Sequence, residues 1–145
     1  MEKAIYTARA TVTGGRAEGH GRTGDGALDV QLRTPVEMDG KGGGTNPEQL
    51  FAIGYAACFE SALGFIGRRE HAEVGDVSIE SIVSMHPTGG GAFGLGVMLN
   101  VTLPQVTDPA RAMELVAAAH KVCPYSNATR GNIEVKLTAN GQTVP

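Results

Sequence analysis

A largely apolar segment at positions 50–66 constrains this chain more than any other feature of its sequence. On a helix it would be apolar around nearly the whole circumference, and a helix of that kind belongs in the interior of a protein. The segment is under 18 residues long and contains Glu60 and Ser61, which favours a buried helix over a membrane span. Its apolar residues are Phe51, Ala52, Ile53, Tyr55, Ala56, Ala57, Cys58, Phe59, Ala62, Leu63, Phe65 and Ile66.

Both ends of this helix carry sequence signals. Asn46 suits the N-cap, Pro47 suits the first helical position, and Gln49 completes a capping-box pattern. Arg68-Arg69-Glu70 marks the end of the helix. The sequence therefore predicts one long helix that must be covered on all sides.

Alternating apolar residues predict strands on both sides of the helix, and a second cap-plus-proline signature at Asp108-Pro109 predicts a second helix. Pro124 is expected to stop that second helix. The order of elements predicts an α+β fold in one domain that covers residues 1–145. The predicted elements are a strand at 4–13, a glycine-rich stretch to an Asp25-Gly26 turn, a strand with Leu28, Val30 and Leu32, a loop at 35–44, strands at 76–86 and 93–103 joined by a hairpin at 87–91, a helix from 109 to about 122 and a strand at 132–139.

Charge and the N-terminus limit the partners and the compartment. The net charge is −3 and the basic residues are scattered, whereas a nucleic-acid-binding protein normally shows a basic face. No nucleic-acid or membrane partner is therefore expected. Residues 1–6 have no apolar region typical of a secretory signal, which predicts a cytoplasmic location.

The histidines and glycines carry weak signals. The four histidines have no ligand spacing and two cysteines cannot close a structural zinc site, so no metal is expected. Gly19-His20-Gly21-Arg22-Thr23-Gly24 matches the dinucleotide pattern G-x-G-x-x-G. A turn and a strand follow it instead of a helix, which favours a hairpin loop over a cofactor site.

The two cysteines, Cys58 and Cys123, are the main chemical candidates. A cysteine in an apolar helix is most often a small core residue, and a structural disulfide is improbable in a reducing compartment. Cys123, however, precedes a proline at a helix end. Arg16 and Glu48 could also tune a thiol, because an arginine favours the thiolate and a carboxylate would orient that arginine.

Three stretches resemble the signatures of the organic hydroperoxide resistance (Ohr) proteins, which belong to the OsmC-like superfamily. The stretches are Thr45-Asn46-Pro47-Glu48-Gln49-Leu50-Phe51, Gly54-Tyr55-Ala56-Ala57-Cys58-Phe59, and the run from Val122-Cys123-Pro124-Tyr125-Ser126 to Asn132. The resemblance extends over nearly the whole chain. It implies an OsmC-like fold in which antiparallel sheets pack around a long buried central helix in an intertwined homodimer.

The same resemblance implies a cysteine-based peroxidase that reduces organic hydroperoxides to alcohols. Cys58 would be the peroxidatic cysteine and Cys123 the resolving one. Arg16 would stabilise the thiolate and the transition state, and Glu48 would orient Arg16. No cofactor would be bound, and dihydrolipoyl groups on a lipoylated enzyme would supply electrons. The apolar side chains of Phe51 and Phe59 would line the pocket for an alkyl, aryl or fatty-acid hydroperoxide.

The spacing of Glu48 and Cys58 adds an independent expectation. Ten residues on one helix rise ~15 Å, so a cluster of Glu48, Arg16 and Cys58 within one chain requires a bent helix or a long arginine bridge. An interlocked dimer removes that difficulty. Two other functions remain open from the residues alone: a dimeric redox sensor or an apolar-ligand binding protein that uses the cysteine pair without turnover. A thioredoxin-like enzyme is disfavoured because no C-x-x-C is present.

Overall fold

The computed structural model describes residues 2–145, which form two compact units. The first unit extends to Leu50, and the second covers Phe51–Pro145. Each unit is described by itself below. The long helix α1, Pro47–Arg69, begins in the first unit and continues through the second as one element. The assignment of the chain to a single domain stays a prediction.

The first unit contains a three-stranded antiparallel sheet. Its strands are β1 (Ala10–Thr13), β2 (Glu18–Thr23) and β3 (Asp29–Arg33), in the order β1-β2-β3, and a short 3-10 helix follows at Val36–Met38. The strand predicted at 4–13 is therefore too long. Ala10 pairs with Thr23, the last residue of β2, and residues 2–9 lie outside any strand.

Strand β2 occupies a stretch that the sequence assigned to a glycine-rich loop. Glycine usually weakens a strand, but here it permits a close approach of two backbone segments. A Cβ atom at Gly19 would come within 3.0 Å of the carbonyl oxygens of Gly15 and Thr13, so no larger residue fits without a backbone shift. The predicted Asp25-Gly26 turn is confirmed, with a positive φ of 74° at Gly26 between β2 and β3.

The predicted start and end of α1 are confirmed. The backbone N–H of Gln49 donates to Asn46 Oδ1 at 2.9 Å, as an N-cap requires. The side chain of Gln49 accepts a hydrogen bond from the Thr45 hydroxyl, so the capping box is only half formed. The helix ends at Arg69.

Within one chain α1 is buried on one face, and its cover on the other sides by a partner chain stays a prediction. The buried residues recur at helical spacing: Tyr55, Phe59, Ala62, Leu63 and Ile66. Ile53 is 70% exposed and Phe65 is 48% exposed. By length and composition α1 is also the one helix in residues 2–145 that could cross a membrane, a test that core helices of water-soluble proteins pass as well.

The second unit is built on a four-stranded sheet of order β4-β5-β6-β7. Its strands are β4 (Ser78–Gly89), β5 (Ala92–Thr102), β6 (Glu134–Ala139) and β7 (Gln142–Val144). The hairpin between β4 and β5 is confirmed. Strand β7 was not predicted, although Asn140-Gly141, with φ of 50° and 82°, is a typical two-residue hairpin turn.

One pair of strands corrects the expectation of antiparallel sheets. Strands β5 and β6 run parallel because two helices, α2 (Pro109–Val122) and α3 (Pro124–Thr129), connect them across the sheet. Asp108 caps α2 by accepting a hydrogen bond from the Ala110 N–H, as predicted. Helix α3 was not predicted, because Pro124 was taken only as a stop signal although proline also suits a first helical position.

The core of the second unit lies among α1, α2 and the inner face of the sheet. Val97, Leu99 and Val101 alternate on β5 and point inward, as the period of a half-buried strand requires. Leu115, Val116 and other buried residues of α2 join the same cluster. This core holds α1 and the α2–α3 corner in fixed positions, and each of them carries one of the two cysteines.

Candidate active site

The fold brings the two cysteines together although 65 positions separate them in the sequence. Cys58 lies on α1 and is partly exposed, whereas Cys123 is fully buried between α2 and α3. Both thiols are free. The Cys58 thiol lies close enough to the Cys123 thiol and to the backbone N–H of Tyr125 for both groups to shift its pKa. The two thiols are thus direct neighbours in the reduced protein.

The pKa of the Cys58 thiol lies above its ordinary value. Burial is the largest cause, because it disfavours the charged thiolate. The Tyr125 N–H acts in the opposite direction and lowers the pKa, while the neighbouring Cys123 raises it further. Cys58 therefore needs more positive charge nearby to become a good nucleophile at neutral pH.

Cys123 occupies a sharp corner of the backbone. It caps the C-terminus of α2 and the N-terminus of α3, with extended dihedral angles of φ −64° and ψ 124°. The residue before a proline prefers this extended region, so Pro124 produces the corner. The corner also aims the Tyr125 N–H at Cys58, a contact that sequence reasoning missed.

Three aromatic rings lie beside the cysteine pair. Tyr125 packs against Phe51 and Tyr55, with ring centroids 6.0 Å and 5.6 Å apart. Phe51, predicted to line a pocket, is partly buried in this cluster. Phe59, predicted for the same role, is fully buried in the core and has no exposed surface, so its pocket role stays a prediction.

A buried polar network lies behind these rings. The hydroxyl of Tyr55 is 2.8 Å from Ser126 Oγ and 3.2 Å from Thr129 Oγ1. Ser126 Oγ is also 2.8 Å from Nδ1 of His120. The pKa of His120 is lowered, first by burial and then by the positive charge of Arg130. No functional role was predicted for any of these residues.

Arg16 and Glu48 form a two-pronged ion pair in the first unit. The two guanidinium nitrogens of Arg16 donate to the two carboxylate oxygens of Glu48, each at 2.9 Å. The two side chains are thus paired as the proposed roles require, and the role of Glu48 in orienting Arg16 at the thiol stays a prediction. The hydrogen bonds from Arg16 hold the pKa of Glu48 below its usual value, and Glu48 raises the pKa of Arg16. The fork is therefore charged and rigid at neutral pH.

The structure describes the ion pair within the first unit and the cysteine pair within the second. The proximity of Arg16 to a Cys58 thiol stays a prediction. Among residues 2–145, no group of three histidine, cysteine or acidic side chains is arranged to hold a metal ion.

Comparison with known proteins gives consistent results. A family model described as OsmC-like protein matches residues 40–138. The chain is 53% identical over 139 residues to an organic hydroperoxide resistance protein of Xanthomonas axonopodis pv. citri, covering 94% of this chain and 96% of the relative. It is 48% identical to the organic hydroperoxide resistance protein OhrB of Bacillus subtilis, with 92% of this chain and 97% of the relative covered.

Solved structures agree with these sequence matches. An organic hydroperoxide resistance protein from Legionella pneumophila superposes with a TM-score of 0.89 at 50% identity, covering 94% of this chain and 98% of that one. The crystal structure of B. subtilis OhrB gives a TM-score of 0.84 at 46% identity over 93% of this chain and 98% of that one.

The α+β fold, with two sheets and one long helix, matches the solved structures of organic hydroperoxide resistance proteins. The chain belongs to the OsmC-like family, within its branch of organic hydroperoxide resistance proteins.

Proposed function

We propose that this protein is a cysteine-based peroxidase that reduces organic hydroperoxides to alcohols. The observation that carries the proposal is the contact between a partly exposed Cys58 thiol and the buried Cys123 thiol in the reduced state. Two neighbouring free thiols can form a disulfide without a large movement. The names of the relatives point to organic hydroperoxides as the substrates.

The proposed reaction has two chemical steps. The Cys58 thiolate attacks one oxygen of the peroxide bond, the O–O bond breaks, and the alkoxide takes a proton and leaves as the alcohol. Cys58 is then a sulfenic acid. The thiolate of Cys123 attacks the Cys58 sulfur, the S–O bond breaks, and the hydroxide leaves as water after protonation. The product is a Cys58–Cys123 disulfide, which protects Cys58 from further oxidation.

In this proposal Arg16 supplies the positive charge that Cys58 requires. Burial raises the pKa of Cys58, and a guanidinium beside the sulfur would lower it again. The same charge would stabilise the developing alkoxide. The ion pair with Glu48 supports this role because it holds the guanidinium plane in one orientation.

The disulfide must be reduced by an external donor, and we propose dihydrolipoyl groups, free or on a lipoylated enzyme. A dithiol donor returns two electrons to the Cys58–Cys123 disulfide and becomes a disulfide itself, so the reaction balances without a bound cofactor. The apolar chains of alkyl, aryl or fatty-acid hydroperoxides would contact Phe51, with Phe59 behind it.

We propose that the active form is a homodimer in which the two chains interlock. Ile53 and Phe65 expose apolar surface on α1, and Ile5 and Tyr6 do so near the N-terminus. Exposed apolar groups on this scale mark interaction surfaces. A partner chain would cover them, and the site would then combine residues of both chains. Sedimentation of a folded, active monomer at micromolar concentration would contradict the dimer. The cytoplasmic location also remains a prediction.

A turnover count tests the proposed activity. Protein is mixed with excess tert-butyl or cumene hydroperoxide and excess dihydrolipoamide, and alcohol is counted per Cys58. Many turnovers per Cys58 are expected, and none in Cys58→Ser. About one turnover per site would instead identify a redox sensor, and unchanged activity in Cys58→Ser would refute the assigned role.

A further inference from the structure

We infer that Tyr55 and Gly54 are positioning residues, which hold the corner at Cys123–Tyr125 against Cys58. The inference rests on the proposed function for its consequence in turnover. Its structural basis is independent of that function. Both residues lie on α1, within one helical turn of Cys58, and each contacts helix α3 in a different way.

Tyr55 ties α3 to α1 through buried hydrogen bonds. Its hydroxyl reaches Ser126 at 2.8 Å and Thr129 at 3.2 Å, and all three residues are almost completely buried. A buried hydroxyl that loses its partner costs about 1–3 kcal/mol, so this arrangement strongly favours one placement of α3. Ser126 immediately follows Tyr125 in the sequence. The backbone N–H of Tyr125 lies close to the Cys58 sulfur.

The second half of α2 holds the same segment from the other side. His120 Nδ1 lies 2.8 Å from Ser126 Oγ, and the guanidinium of Arg130 donates to the backbone carbonyl of His120. Helix α3 is therefore anchored at Ser126 by a residue of α1 and by a residue of α2. Cys123 lies between these anchors and cannot move away from Cys58 unless the hydrogen bonds break.

The absence of a side chain at Gly54 leaves space for the ring of Tyr125. Glycine inside a helix costs about 1 kcal/mol relative to alanine, so its presence in α1 calls for a reason. A Cβ atom at Gly54 would lie 2.8 Å from the Tyr125 hydroxyl oxygen and 3.3 Å from the ring carbon that bears it. The Tyr125 ring fits against α1 only because this side chain is missing. Gly64 on the same helix has no comparable contact, since its nearest neighbour is the flexible end of Arg68 at 3.4 Å.

The consequence for chemistry follows from these two contacts. With α3 in place, the Tyr125 N–H stabilises the Cys58 thiolate, and Cys123 stands ready for the step in which the S–O bond of the Cys58 sulfenic acid breaks. If α3 shifts, the hydrogen bond to sulfur lengthens and the second thiol loses its alignment. The Cys58 thiolate should therefore be less populated, and disulfide formation should be slower in the same variants.

The test compares Tyr55→Phe and Gly54→Ala with two matched controls. Thr102→Val removes a hydroxyl from an exposed residue of β5, and Gly64→Ala adds a methyl group to the same helix as Gly54. The rate at which iodoacetamide alkylates Cys58 is measured against pH by mass spectrometry of its peptide. We expect the rate at pH 7 to fall about tenfold in both test variants, the effect of losing one hydrogen bond to a charged group, and to stay within twofold in the controls.

A second measurement follows disulfide formation after one equivalent of hydroperoxide, and a third uses diamide as the oxidant. Slower disulfide formation with both oxidants is expected in the test variants. Because the alkylation and diamide measurements need no peroxidase activity, they decide the inference even if the proposed function fails. A double variant, Gly54→Ala with Tyr125→Phe, should recover part of the alkylation rate lost in Gly54→Ala, since it removes the atom at 2.8 Å.

Thermal unfolding separates positioning from mere stabilisation. Tyr55→Phe and Gly54→Ala could lower the melting temperature while the alkylation profile and both disulfide rates equal those of the unchanged protein. In that case the inference is wrong. It is equally wrong if Gly64→Ala slows alkylation as much as Gly54→Ala.

Discussion

The two units of the chain differ sharply in how they are packed. Among the described residues up to Leu50, Leu32 is the one buried hydrophobic side chain, and β1 is exposed along its whole length. The second unit buries a continuous core of α1, α2 and sheet residues. Burial of apolar surface is the main source of stability, so the second unit has a core of its own and the first has only a small one. This difference supports the proposed partner chain.

The charged pair and the two thiols also lie in different units. The first unit supplies charge, in the Arg16–Glu48 pair, and the second supplies thiols in a low-dielectric core. The cysteine pair lies beside a continuous core, whereas the ion pair lies in the thinly packed unit. The predictions below separate the contributions of the two units.

The largest effect is expected from Cys123→Ser, in the second unit. Without a second thiol, the Cys58 sulfenic acid cannot become a disulfide, so steady-state turnover with dihydrolipoamide should fall by more than about 100-fold. One alcohol per site should still form in a single-turnover experiment. Mass spectrometry should then show sulfinic acid on Cys58. Unchanged steady-state turnover would remove Cys123 from the mechanism.

A pair of truncations compares the packing of the two units. Leu115→Ala removes a fully buried side chain of α2 and should lower the free energy of unfolding by about 3 kcal/mol. Val36→Ala truncates an exposed residue of the first unit and should cost less than about 0.5 kcal/mol. Urea denaturation measures both values. A similar cost for Val36→Ala would show that another surface covers the first unit in solution.

Arg16→Ala tests whether the charge of the first unit reaches the thiol of the second. Loss of one group that stabilises an anion should slow hydroperoxide consumption about 100-fold and raise the pKa of Cys58. Arg16→Lys keeps the charge without the two-pronged geometry and should recover only part of the rate. Arg9→Ala, at an exposed position of the same unit, is the control. A stopped-flow rate equal to that of the unchanged protein would show that another cation serves Cys58.

The smallest effect is expected from the Arg16–Glu48 pair itself. Hydrogen bonds from Arg16 lower the pKa of Glu48, so the stabilisation by the pair is fully present above the ordinary pKa of a glutamate and is lost as pH falls through the lowered value. NMR titration of the Glu48 carboxyl should show this lowered pKa. In Arg16→Ala the carboxyl should titrate at a higher pH than in the unchanged protein.

Glu48→Gln should slow hydroperoxide consumption by less than about fivefold at neutral pH, because a partly exposed ion pair contributes up to about 1 kcal/mol. Glu37→Gln, in the 3-10 helix of the same unit, provides the matched control. A Glu48 pKa at or above its ordinary value would contradict the ion pair in solution.

Local patterns predicted most helices and strands from Asn46 onward. The caps at Asn46 and Asp108, the hairpin between β4 and β5, and both long helices are set by residues a few positions apart, so they can be recognised without knowledge of the fold. The failures have local causes too. Strand β2 was not predicted because a glycine-rich stretch around Gly19 is typical of a loop. Helix α3 was not predicted because Pro124 both ends one helix and begins the next.

The candidate site also has one part that local sequence patterns predict and one part that they do not. The sequence by itself determined which residues are candidates for the chemistry, since the motifs around Cys58 and Cys123 and the place of Glu48 in the first turn of α1 are short and local. Only the tertiary structure decided that the two thiols touch, that the Tyr125 N–H points at sulfur, and that Tyr55, Ser126 and His120 anchor the corner. These contacts join residues as many as 71 positions apart, and no local pattern encodes them. They arise because the core packs α1, α2 and α3 in one arrangement, which fixes distances that spacing along the chain leaves free.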